Sequence, residues 1–318
     1  MSQSARAGTA TAVPAHPEPS RTQLPRRATL VGSRRRAQAI ALTPLSVLLG
    51  VLTIIPTGYI LASSFTNAAV TNPETGFVWF QNYAEMFGSA DYWETLGRTV
   101  FFVIFAVVLQ LGIGLALAVA ISALKRGDAI IRAIILLPMA AAPIAMLFTW
   151  RQILNAAYGP LNYLLGLLGV PPIDWLGDAA LALPTLVVVD TWQWTPFIFI
   201  ILAGGLATVP QDVYEAAAVD GSTPWQNFIH ITLPLLMPYI AVAVLFRTID
   251  ALKTFDSVQV LTSGGPGSAT TMLNYSIFQQ GISFLNFGKA SAAAVVFLIV
   301  SIVLTKMLLS FLTRKERS

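Results

Sequence analysis

Six long apolar runs, near 39–65, 97–123, 130–154, 181–207, 233–256 and 286–312, divide this chain and limit it more than any other feature. Each run matches or exceeds the roughly 20 residues a helix needs to cross a bilayer. In lipid the backbone has no water to bond to, so a span must satisfy its own N–H and C=O groups, and runs of this length do so as helices. The composition agrees. Residues are 55% hydrophobic and only 11% charged, with a mean hydropathy of +0.70. A soluble chain carries about a quarter charged residues, so too little polar surface is left here to face water. The sequence predicts an all-α membrane protein with six transmembrane helices.

Several chemistries are excluded. With no cysteine there is no thiolate catalysis, disulfide or cysteine-ligated metal. The two histidines, His16 and His230, are far apart and offer no metal cluster or histidine-based catalytic site. The net charge of +4 is not a nucleic-acid footprint. Seven arginines against one glutamate fall in residues 1–36, and the remainder is slightly acidic. That first segment, rich in Arg, Pro, Ser and Ala, reads as a disordered basic tail. It is too long and too basic for an ordinary signal peptide. Residues 37–318 form the membrane domain.

Basic residues in short loops mark the cytoplasmic side. The tail, the turn with Lys125, Arg126 and Arg132, and the end with Arg314, Lys315 and Arg317 belong inside, so both termini are expected in the cytoplasm. Residues 66–94 carry four acids and no Lys or Arg, and 155–180 carry only Asp174 and Asp178; these belong outside. One loop resists the rule. Residues 208–232 must be cytoplasmic, yet they hold Asp212, Glu215 and Asp220 and no Lys or Arg. Such a surface suits a protein neighbour better than anionic lipid.

Within that loop, Pro210 and Asp212 suit a helix N-terminus, as a stiff φ and a capping carboxylate. Ala216 to Ala218 let another backbone come close, and Gly221 tolerates a left-handed turn. Phe228 and Ile229 offer apolar anchors, and Pro234 opens the next span. Composition alone is equally consistent with an ordinary interfacial helix. The spacing Glu215-Ala216-Ala217, Gly221, Ile231-x-Leu233-Pro234 resembles the EAA-x3-G-x9-I-x-L-P motif of ABC importer permeases. "TPFIFIILAGGLATVPQDVYEAAAVDG" and "LFRTIDALKTFDSVQVLTSGGPGSATTML" are similar to the carbohydrate-uptake branch, which includes maltose and trehalose importers; the likeness covers roughly residues 40–315.

The resemblance implies a type I importer permease fold in a bacterial inner (plasma) membrane. It implies a coupling helix over 209–229 seated in a partner ATPase through Glu215, Ala216, Ala217, Asp220 and Gly221. It also implies a second permease subunit, two ATPase subunits and an extracytoplasmic solute-binding protein. The chain itself lacks the phosphate-binding G-x-x-x-x-G-K-[ST]. ATP and Mg are therefore expected on the partner ATPase; this chain is expected to bind no cofactor or metal and to be a transporter subunit, not an enzyme.

Ionisable groups in a span are costly, about 2.5–3.5 kcal/mol each on insertion scales. Helical spacing puts Arg247, Asp250 and Thr254 on one stripe of the fifth span, and Asp190, Trp194 and Phe197 on one stripe of the fourth, with Gln193 beside them. Carboxylates, a guanidinium and aromatic faces suit a polyhydroxylated solute such as a di- or oligosaccharide or polyol. The resemblance strengthens that reading, because similar sugar importers contact solute midway along the spans that flank the coupling helix. The alternative is that Asp190 or Asp250 only neutralises Arg247 inside the bundle. Lys253 and Asp256 lie off the stripe, as structural or gate residues. Pro138, Pro143, Pro184 and Pro196 interrupt the third and fourth spans, for flexing or for static packing. The loop "LTSGGPGSATT", Leu261 to Thr271, is either a reach towards a binding protein or a connector. The rivals are a secondary transporter driven by an ion gradient and, among ABC importers, a glycerol-phosphate permease. The first usually shows two related halves, and no convincing repeat is visible.

Overall fold

The computed structural model describes residues 27–72, 75–122, 124 and 128–315. The first residues of the expected tail lie outside them. The helices in chain order are α1 (Arg27–Ser63), α2 (Gln81–Gly88), α3 (Ala90–Ser122), α4 (Asp128–Ala140), α5 (Pro143–Ile153), α6 (Pro160–Gly166), α7 (Ala182–Ala207), α8 (Gln211–Val219), α9 (Pro224–Asn227), α10 (Leu233–Leu252), α11 (Asp256–Leu261), α12 (Leu273–Phe278) and α13 (Phe287–Lys315). Single π-helical turns, Phe228–Thr232 and Gln279–Ser283, follow α9 and α12. Among the described residues, extended pairing is limited to isolated bridges such as Thr66 with Phe77.

The described residues divide into two compact units, one ending at Pro56 and the other beginning at Thr57. In the first, helix begins at Arg27, inside the segment expected to be a disordered tail. Arg27, Ala28, Leu30 and Arg34 to Arg36 in that stretch are good helix formers. Leu45, Leu48 and Leu52 of this unit are exposed, as lipid-facing side chains are.

In the second unit, apolar helices long enough to cross a membrane match the second, fourth, fifth and sixth runs: Ala90–Ser122, Ala182–Ala207, Pro224–Leu252 and Phe287–Ser310. The third run differs from expectation. It breaks into α4 and α5, which meet at 93°. Pro143 disfavours helical geometry in the residue before it, and Ala142 is extended (φ −61°, ψ 120°). Among the four prolines, Pro143 makes this break. Pro184 sits in the first turn of α7, where its missing N–H costs little. Pro138 and Pro196 lie inside α4 and α7.

The core has two apolar clusters. Phe102, Val107, Leu186, Val189, Ala251 and Val258 belong to one; Ala118, Ile121, Ile198, Leu202 and Ala243 belong to the other. The order of these residues shows that α3 and α7 run in one direction and α10 in the other. Of the most apolar part of α7, 61% is buried, against 33% for α3, so α7 is the axle of the bundle. Between lipid-embedded helices apolar burial brings no transfer gain, so close packing and polar contacts decide the arrangement. Glycine provides the close packing. A Cβ on Gly114 would lie 2.9 Å from the Ile198 side chain, and one on Gly205 2.6 Å from the Tyr239 ring.

Candidate functional site

The polar residues of three spans meet at the boundary between the two clusters. Arg247 lies on α10 between Ala243 and Ala251, Asp190 on α7 between Val189 and Ile198, and Gln110 on α3 between Val107 and Ala118. Arg247 is only 1% exposed. Its Nη2 donates to Asp190 Oδ2 at 2.8 Å, its Nη1 donates to Asp250 Oδ2, and its Nε donates to Gln110 Oε1 at 2.7 Å. The Gln110 amide nitrogen donates to Asp190 Oδ2 at 2.8 Å and to the Asp190 carbonyl at 3.2 Å. The guanidinium carbon stands 5.0 Å from the centroid of the Trp194 ring, a cation–π distance.

This geometry sorts the expected solute-contacting residues. Arg247 and Asp190 are buried against each other, the contact that the pairing alternative expects. Asp250 is different, with 53% of its side chain open. Trp194 and Phe197 are half-buried, and Phe197 meets Phe246 edge-on at 6.5 Å. Thr254 does not share the stripe. α10 ends at Leu252, because Lys253 N–H and Thr254 N–H bond to the carbonyls of Asp250 and Ala251, tightening the last turn. The Lys253 carbonyl is then taken by Asn274 Nδ2 at 2.7 Å. Asp256 falls in the first turn of α11, outside the fifth span.

Gln110 is not among the residues expected from the sequence, where the fourth and fifth spans carry the candidate stripes and the second carries none. The signal is present: a single long polar side chain inside FFVIFAVVLQLGIGLALAVA.

The coupling segment is also more articulated than one helix over 209–229. α8 covers Gln211–Val219, and its N-cap is Pro210; the Asp212 side chain makes no cap but favours the helix dipole from the first turn. At the other end, Gly221 N–H bonds to Ala218 O and Ser222 N–H to Ala217 O, a Schellman closure. Gly221 sits at φ +77° with open space where a Cβ would be. Thr223 and Gln226 then form a capping box that starts α9. Tyr214 bonds Thr232 across the corner at 2.9 Å. Glu215, Ala216, Asp220 and Gly221 are exposed, Ala217 is half-buried, and no residue of α8 is buried. Trp225 is 68% exposed and stacks on Phe228.

The loop from Leu261 to Thr271 is tied to itself. Thr270 Oγ1 donates to the Gly265 carbonyl at 2.8 Å and lies 2.7 Å from Thr262 Oγ1, while Thr271 Oγ1 donates to the Gly264 carbonyl at 3.2 Å.

Residues 110–318 match the family described as "Binding-protein-dependent transport system inner membrane component". The chain is 40% identical over 223 residues to the trehalose/maltose transport system permease protein MalF of Thermococcus litoralis, covering 70% of this chain and 75% of that one. It is 35% identical over 302 residues to the sulfoquinovosyl glycerol transport system permease protein SmoG of Agrobacterium fabrum, covering 92% and 96%. In fold it is similar to a chain of a bacterial alginate ABC transporter solved with an alginate pentasaccharide-bound periplasmic protein, at a TM-score of 0.78 and 19% identity over 87% of this chain and 93% of that one. Six-run hydropathy, the EAA-type corner and these matches converge: the chain belongs to the binding-protein-dependent transport system inner membrane component family and is a multi-pass permease subunit of an ABC importer.

Proposed function

We propose that this permease imports a neutral sugar, a di- or oligosaccharide, or a related polyol by alternating access, with ATP and Mg held by two partner ATPase subunits. A second permease completes the pathway, and an extracytoplasmic binding protein delivers the solute. The observation that carries this reading is α8, a helix closed at its end by a Schellman corner yet burying none of its residues. A stiff, exposed knob suits a neighbour that pushes on it. Glu215 and Asp220 accept charge-assisted hydrogen bonds from the ATPase, Ala216 and Ala217 let its backbone approach, and Gly221 carries the bend. On this reading α8 and both termini face the cytoplasm.

On the solute side, Asp250 accepts from sugar hydroxyls, and Trp194 and Phe197 offer ring faces. Arg247 and Asp190 hold Asp250 in place, and Thr254 stands beyond the helix end. The half-open carboxylate favours a neutral solute over a phosphorylated one, and the likeness to the trehalose/maltose permease of Thermococcus litoralis supports a sugar. The test is uptake of labelled trehalose and maltose by vesicles holding the complete importer with its binding protein. ATP-dependent uptake of a neutral sugar, lost when the ATPase is left out, is expected. Uptake driven by an ion gradient without the ATPase, or import of phosphorylated solutes alone, overturns the reading.

A further inference from the structure

Resting on that reading, we infer that Gln110 is a positioning residue that keeps Arg247 forked between the buried Asp190 and the solute-facing Asp250. An arginine beside a carboxylate ordinarily pairs through two parallel N–H bonds. Nε and Nη2 of Arg247 are the edge that faces Asp190 and Gln110, and a two-bond pairing with Asp190 through that edge would use both. Gln110 Oε1 takes Nε instead, at 2.7 Å, so Asp190 receives Nη2 alone. The Gln110 amide nitrogen fills the same Asp190 oxygen from the other side at 2.8 Å. Nη1 is left for Asp250, whose side chain is 53% open while Gln110 itself is fully buried.

The amide suits this place because it presents an acceptor to the cation and a donor to the anion at once. A hydrocarbon there would leave Nε buried without an acceptor. The guanidinium would then turn to give Asp190 both bonds and withdraw from Asp250. Asp250, no longer held, would meet the sugar in many orientations, and affinity for solute would fall.

Glutamate at this position gives a readout that space-filling does not. A neutral carboxyl reproduces the amide, its carbonyl accepting from Nε and its hydroxyl donating to Asp190. An ionised one loses the donor and sets two anions together. The charged groups facing the position are Asp190 of α7 with Arg247 and Asp250 of α10. Of the other helices touching α3, α2 has Glu85 paired with Lys289, α12 has Tyr275 packed on Phe255, and Arg132 stands on α4 ahead of Ile135 and Leu136, which pack in the Ala118 cluster.

The experiment uses the complete importer in vesicles, with trehalose, or maltose where that is the sugar the wild type moves. Gln110→Leu is expected to raise the half-saturation concentration at least tenfold, well beyond any change in maximal rate. For Gln110→Glu, the half-saturation concentration relative to wild type at the same pH is expected to rise steadily from pH 5 to pH 8. A Gln110→Leu complex with wild-type half-saturation, or a Gln110→Glu ratio that is flat with pH, overturns the inference. If Gln110→Leu does not assemble, the nearly isosteric Gln110→Glu decides alone. Absence of sugar uptake by the wild-type complex is instead a failure of the functional reading.

Discussion

Asp190 Oδ2 accepts from Arg247 Nη2 and from Gln110 Nε2, each at 2.8 Å, so one oxygen atom joins α7 to both α10 and α3. The junction lies at the level where one apolar cluster ends and the other begins. Packing alone leaves neighbouring helices free to slide past each other by small steps, whereas an ion pair shared by three helices fixes their register. Arg247 does two jobs at this junction. It locks the bundle through Asp190 and holds the accessible Asp250.

Removing one partner of a buried pair is far more damaging than removing both. Asp190→Leu removes the buried counter-ion of a guanidinium that is 1% exposed, leaving it only the half-open Asp250, and is expected to cost about 3–5 kcal/mol. Asp190→Leu combined with Arg247→Met is expected to recover most of that stability while transport stays lost. Thermal unfolding of the purified complex, read beside vesicle uptake, checks both halves. Equal stability of the single and double variants would show that the pair does not lock the bundle.

The two glycines at the end of α7 answer differently to the same change. A Cβ on Gly205 would lie 2.6 Å from the Tyr239 ring and 2.9 Å from the Leu236 side chain, and Tyr239 is held by its 3.1 Å contact with Thr208. Gly204 has open space at that point. Gly205→Val is expected to destabilise by about 1–3 kcal/mol through overpacking. Gly204→Ala is expected to be neutral or to stabilise by up to about 1 kcal/mol from helix propensity. The unfolding midpoints of the two variants, measured side by side in detergent, decide it.

The features written locally were legible in the sequence. A span must be apolar for about 20 consecutive residues, and the coupling corner is a set of backbone requirements within a few positions of Gly221. Long-range features were not. Gln110 meets Arg247 across 137 residues and Asp190 across 80, and nothing in the hydropathy of α3 names either partner. The position of Thr254 beyond the end of α10 has a similar origin: the turn after Leu252 is secured by Asn274, 21 residues beyond the carbonyl it caps. The break before Pro143 lay between these cases. Its local signal was visible, but its direction depends on what α5 packs against, including α11.

Because Asp250 is the open arm of the cluster, its charge is expected to act on solute choice more than on folding. Asp250→Asn keeps the shape and removes the anion. Asp250 itself is half exposed, and asparagine keeps an acceptor for Arg247 Nη1, so the unfolding midpoint should move little. The half-saturation concentration for a neutral sugar is expected to rise roughly tenfold, the order of one lost charge-assisted hydrogen bond. Sulfonated or phosphorylated glycosides are expected to compete better for transport with this variant than with the wild type. A variant with unchanged selectivity would mean that Asp250 does not face the solute.

The coupling corner gives the last prediction. At Gly221 a Cβ would meet no atom of this chain within 4 Å, so the penalty within the chain comes from φ +77°. An L-residue in that region costs roughly 1–2 kcal/mol, less for asparagine. Gly221→Asn is therefore expected to keep most ATP-driven uptake and Gly221→Val to lose much of it. Gly221→Pro is expected to abolish uptake, because proline locks φ near −65° and removes the N–H that bonds Ala218 O at 3.1 Å. α8 buries none of its residues, so the three variants should leave the transmembrane bundle intact. Measuring the amount of ATPase that co-purifies alongside uptake separates lost docking from lost force transfer. Full uptake by an assembled Gly221→Pro complex would show that the corner transmits nothing.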